Sequence, residues 1–244
     1  MRRIRQQHGF TMIELVIVIV IIGILASVAT IKMNQSVDTA MWDQTTKELD
    51  NLAHAITGNP ALYSNGARTD FGFVGDNGVL PASLDCLVTN PGGWSTWDGP
   101  YIHRGLNSDD FKKDAWNVNY VLSDTLIQST GSGSDIDKPL AASSSALLAN
   151  RISGFVVDAN RQIPPAGFLD SIEVILSYPT GSGSRVDSTL MLDSRGRFDY
   201  SNVPIGNHTL RVIHIPASDT VRYSVAVCPD RDVSLEITFP ADLW

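Results

Sequence analysis

The chain has 244 residues, 43% of them hydrophobic and 18% charged, with a formal net charge of −8. That length suits one or two domains with ordinary cores, and an acidic balance with no basic face argues against a nucleic-acid binder. Cys86 and Cys228 form no CxxC, so a zinc ribbon or a thioredoxin-like site is excluded. In an exported body the two cysteines leave two readings open, a long-range disulfide or two separate buried thiols.

The charge is uneven. Residues 1–9 carry Arg2, Arg3 and Arg5 and no acid. That asymmetry predicts an N-terminus held on the cytoplasmic side of a membrane. From Phe10 to Ile31 the sequence reads FTMIELVIVIVIIGILASVATI, with Glu14 as its one charge. A helix over this run spans about 33 Å, roughly a bilayer core. A simple anchor explains the length and the basic flank. It does not explain Glu14, since an acid at the centre of a bilayer costs at least ~2.5 kcal/mol.

GFTMIELVIVIVIIGILASV resembles the signal of type IV pilins and type II secretion pseudopilins. The resemblance implies a short basic leader, 1–9, cut by a prepilin peptidase between Gly9 and Phe10. It implies methylation of the new Phe10 amine. It gives Glu14 a partner, the charged amine of a neighbouring subunit, and so a role in setting filament register. Such proteins often carry a helix-weakening Pro near the end of the apolar run. This chain has none there, and Gly23 is the only breaker within the run.

The helical pattern continues past the membrane. Val37, Met41, Thr45, Leu49, Leu52 and Ile56 recur at spacings of three and four, which predicts an amphipathic half packed on a globular domain. Gly58, Asn59 and Pro60 stop it. One helix over 10–58 is therefore expected, with 10–31 transmembrane and His54 at the edge of its buried stripe. Residues 59–128 alternate short apolar pieces with Gly, Pro and Asn, with a short helix around Pro81 to Val88 and then a small antiparallel sheet. Within them, Gly99-Pro100-Tyr101 followed by Asp114-Ala115-Trp116-Asn117 and Tyr120 is similar to a GPY and DPWG pattern of the major pseudopilins. Ala115 and Asn117 stand where that pattern has Pro and Gly. Trp97, Tyr101, Trp116 and Tyr120 are expected to pack the sheet on the helix rather than to form a sugar platform.

Next comes STGSGSDIDK. In the major pseudopilins the corresponding loop often binds calcium, and Asp135, Asp137, serines and carbonyls could supply oxygens. The same composition reads as a flexible linker. The preferred reading is a loop or linker over 129–150 with no metal and no other cofactor.

Residues 151–244 read as a separate all-β sandwich able to fold alone. SIEVILSY, STLMLD, FDY, HTLRVIHI, YSVAVC and VSLEITF are strand-like and bounded by turn residues. Gly154, Val156 and Asp158, then Asp193, Gly196, Phe198, Asn202-Val203-Pro204, Gly206, Leu210 and Val212 resemble carboxypeptidase-regulatory-like, transthyretin-type modules. That likeness implies a fold and not an activity. His208 and His214 lie in or beside one strand and are expected to face solvent.

No HExxH, GxSxG, phosphate loop or dinucleotide fingerprint occurs, and the five histidines make no metal spacing. Asp109 and Asp110 read as a solvated loop. The expected class is α+β, and the chain is expected not to be an enzyme. The expected role is a structural subunit of a type II secretion pseudopilus in the bacterial inner membrane, with periplasmic domains. Its expected partners are other pilin or pseudopilin subunits, the prepilin peptidase and the inner-membrane assembly platform. The alternative is a minor type IV pilin whose β module binds a partner or a surface.

Overall fold

The computed structural model describes residues 10–102 and 109–244. Gly9, the arginines before it, His8 and His103 lie outside the described residues. The fold is α+β: one long helix, a small sheet on its distal half, and a β-sandwich beyond.

Helix α1 runs Met12–Thr57, 46 residues. Its N-cap Thr11 forms a capping box with Glu14. It stops at Gly58, whose φ is 79° and whose N–H reaches the His54 carbonyl at 2.7 Å. Thr45, Leu49, Leu52 and Ile56 of the predicted stripe are buried. Met41 is half-buried and Val37 exposed. The globular part therefore begins to cover the helix only near Met41.

Hairpin β1 (Tyr63–Ser64) and β2 (Ala67–Arg68) leads to helix α2 (Gly72–Asn77), which packs on α1. The short helix predicted near Pro81 is a 3-10 turn over Leu84–Leu87. Strands β3 (Val121–Ser123), β4 (Leu126–Ser129) and β5 (Ile136–Pro139) make an antiparallel sheet in that order. A short helix α3 (Ser144–Leu148), N-capped by Ser143, follows. The core of this unit joins Leu49, Leu52, Ile56, Phe73, Val74, Leu87, Tyr120, Ile127 and Leu147.

The segment 129–150 is therefore not a free linker, since it holds β5 and α3. Ile136 and Leu147 sit in the core and draw the chain down onto the helix. Two buried apolar side chains outweigh the linker-like composition between them.

The sandwich has seven strands: β6 (Asn150–Val157), β7 (Ile172–Pro179), β8 (Arg185–Met191), β9 (Arg197–Val203), β10 (Gly206–His214), β11 (Asp219–Val227) and β12 (Val233–Thr238). One sheet has the order β11-β10-β7-β8 and is antiparallel throughout. The other has the order β12-β6-β9, with β12 parallel to β6. Alternation does the work: Ile172, Val174 and Leu176 of β7 face Ile152, Val156, Phe198 and Ile237 across the core. The same alternation turns His208 and His214 inward, at 1% and 6% exposure. The solvent-facing expectation for both is corrected, because each shares its strand face with Leu210 and Val212.

The sandwich has its own core, yet it is docked on the first unit. Ile205, between β9 and β10, is fully buried in the first unit's core, with Ala226 and Cys228 packed alongside. Its N–H donates to the Leu147 carbonyl at 2.8 Å. The Gly181 N–H reaches the Asn77 carbonyl at 2.8 Å, and the Ser95 N–H reaches the Gly183 carbonyl at 2.8 Å. Gly78 has φ 72°, and a Cβ there would lie 2.3 Å from the Pro179 carbonyl oxygen, so only glycine lets these backbones meet.

Candidate membrane and assembly site

The proximal half of α1 is apolar on every face and touches nothing else among the described residues. Phe10 is 77% exposed, Met12 90%, and Ile31 still 57%. This helix is long and apolar enough to cross a membrane. Its few polar side chains suit that medium. The Ser27 hydroxyl donates to the Ile24 carbonyl at 2.7 Å, and the Thr30 hydroxyl to the Ala26 carbonyl at 2.9 Å. Both hydroxyls are satisfied inside the helix, as hydrocarbon surroundings demand.

Glu14 is the one acid in this half. Its Oε2 accepts from the Thr11 N–H at 3.4 Å, and its own N–H donates to Thr11 Oγ1 at 3.3 Å. Both contacts are long, so they hold the carboxylate at the helix start without saturating it. The arrangement also places negative charge on the positive end of the helix dipole. The pattern Thr11-x-x-Glu14 before an apolar run is itself the sequence sign of this box.

At the other end, Asp114 braces the small sheet. It is 5% exposed. Its Oδ1 accepts from the N–H groups of Trp116 and Val118 at 3.0 and 2.9 Å. Its Oδ2 accepts from the Ser129 hydroxyl at 2.6 Å and the Gly131 N–H at 3.1 Å. One carboxylate thus ties the DAWN turn to the end of β4. The next residue, Ala115, donates its N–H to Thr45 Oγ1 on α1 at 3.2 Å. The Tyr120 hydroxyl donates to Glu48 on α1 at 2.7 Å, and burial pushes its phenol well above the usual range. Tyr120 therefore packs between sheet and helix, as expected, and Trp116 packs against the same core. Trp97 and Tyr101 instead stack edge-on against each other at 5.8 Å, and Tyr101 packs against Phe73 of α2. Tyr101 lies in no strand, and its hydroxyl donates to Asp76 at 2.8 Å.

Asp135 and Asp137 flank the buried Ile136 and both are exposed. Asp137 Oδ1 accepts from the Gln128 amide at 2.8 Å. Among the described residues no group of three or more His, Cys, Asp or Glu is placed to hold a metal. Cys86 and Cys228 are both free thiols, each half-buried against the core of the first unit.

Residues 4–30 match the family model described as the prokaryotic N-terminal methylation motif. Over 95 residues the chain is 33% identical to type II secretion system core protein G of Xanthomonas campestris pv. campestris, covering 39% of this chain and 57% of that protein. Over 126 residues it is 29% identical to type II secretion system core protein G of Vibrio cholerae serotype O1, covering 49% of this chain and 73% of that protein. The match thus spans little more than half the length of the Xanthomonas relative. Among solved structures, a Streptococcal ancillary pilin shares 13% identity at a TM-score of 0.28, covering 49% of this chain and 43% of that one. A likeness that slight bears on neither fold nor role. The chain carries the methylation motif, and it is similar to these secretion proteins.

Proposed function

We propose that this chain is a structural subunit of a type II secretion pseudopilus. It is inserted in the inner membrane through α1, cut by a prepilin peptidase between Gly9 and Phe10, methylated on Phe10, and assembled through α1 with other pseudopilin subunits on an inner-membrane platform. Its role is mechanical and not catalytic.

One observation carries this reading. A continuous helix joins an all-apolar, uncovered half to a half packed in a folded domain, with the acid Glu14 at its very start. An apolar surface that large is stable only in lipid or against other apolar helices. A helix that can exchange one for the other without refolding its domain is what filament growth from a membrane requires. Cutting before Phe10 would place a cationic amine one residue from the capping box. The Glu14 carboxylate, held there by long contacts alone, is available to the amine of a neighbour.

The test is intact-mass analysis of chain purified from membranes. Loss of residues 1–9 and one added methyl on Phe10 are expected. A mature chain still beginning at Met1 overturns the reading.

A further inference from the structure

The corner between β9 and β10 pins the sandwich to the first unit, and His208 stands directly behind it. Its Nε2 lies 2.7 Å from the Pro204 carbonyl oxygen. A carbonyl only accepts, so the neutral ring carries its proton on Nε2. Nδ1 is buried with no hydrogen-bond partner among the described residues. A Cβ added to Gly206 would lie 3.0 Å from His208 Cε1 and 2.9 Å from the Gly75 carbonyl oxygen, so the imidazole, the corner and α2 are stacked in contact. Tyr178 of β7 packs edge-on at 6.3 Å. From β8 the facing charge is Arg185, which in turn interacts with Asp76 of α2, and Asp98 and Asp70 lie near Asp76. On β11 the opposed residue is Val225, which cannot titrate.

We propose that His208 is an acid-operated latch: protonation of its imidazole releases the sandwich corner, with Ile205, from α2 and the first unit's core. A second proton would sit on Nδ1, buried with no acceptor. Arg185 would face it with like charge.

Burial holds the His208 imidazole down to about 4, against the pull of the Pro204 carbonyl and with a further push from Arg185. The docked corner therefore binds fewer protons than the released one, in which the ring is solvated near its ordinary 6.5. Docking is at full strength above pH 6.5 and weakens as pH falls toward 4. Asp76 acts in the opposite sense. Burial raises its carboxyl, so acid favours its docked form.

The experiment is hydrogen exchange, corrected for intrinsic rates, on the mature full chain in detergent micelles at pH 7 and pH 5. Segments 70–80 and 203–209 should open about 20-fold more at pH 5, the factor that a shift from 6.5 to about 4 yields by linkage. Segment 172–178, in the sandwich core, should change far less. His208→Gln keeps a donor for the Pro204 carbonyl and cannot titrate in this range, so it should abolish the pH response. No response in the wild type, an equal response in H208Q, or equal loss of protection at 172–178 each overturns the latch.

Discussion

Truncating Ile205 tests whether the sandwich and the helix-bearing unit are one cooperative body. Ile205 belongs by sequence to the sandwich, yet its side chain is 0% exposed within a cluster of Leu49, Leu52, Ile56, Phe73 and Leu147. Ile205→Ala removes three buried carbons and leaves a cavity where the two units meet. Such substitutions cost about 2–5 kcal/mol, whereas Ile→Val costs about 0.5–1.5. For a protein of this size each kcal/mol moves Tm by about 2–4 °C. A cost of about 3 kcal/mol therefore predicts a Tm lower by about 6–12 °C for the alanine variant, and by a few degrees for Ile205→Val. The assay is thermal melting of the mature chain in micelles, followed both by tryptophan fluorescence and by loss of β-sheet circular dichroism. Trp94, Trp97 and Trp116 report on the first unit and most of the β-structure on the second. The two signals should move together. A transition that shifts in only one signal, or by under a degree in both, refutes the shared core.

Three further outcomes are expected. Glu14→Ala should remain membrane-bound and be cut before Phe10, because the apolar run is unchanged, yet fail to crosslink into multimers; wild-type multimer yield would show that Glu14 does not pair subunits. Asp114→Asn should lower the urea midpoint, since an amide nitrogen then faces the Ser129 hydroxyl or the Gly131 N–H; the loss is about 2–3 kcal/mol, and an unchanged midpoint would show that the brace contributes nothing. Tyr120→Phe should cost about 1–2 kcal/mol by leaving Glu48 without its 2.7 Å donor, with no change in membrane insertion; an equal effect in a Glu48→Ala background, which has no acceptor, would show that the bond is not the cause.

Patterns with a short period were legible in the sequence. The apolar run, the stripe from Thr45 to Ile56 and the alternation of β7 each repeat within a few residues, so backbone geometry alone assigns their faces. The motif around Phe10 and Glu14 was legible for the same reason, as was the capping box hidden within it. What the sequence did not disclose depends on residues far apart in the chain. Composition marked 129–150 as a linker, but Ile136 and Leu147 bury it against a helix some ninety residues earlier. Histidine is usually polar enough to face water, but β10 runs through the middle of its sheet and turns His208 and His214 inward with their apolar neighbours. A strand-rich tail suggested a module standing by itself, but Ile205 enters the other unit's core. The sequence by itself determined the long helix, its apolar run and the main strands of the sandwich, because those follow from local sterics and hydrophobic period. Only the tertiary structure decided that the sandwich is held fast and not tethered, because that rests on how the buried corner at Ile205 fits a core built mostly by residues more than a hundred positions away.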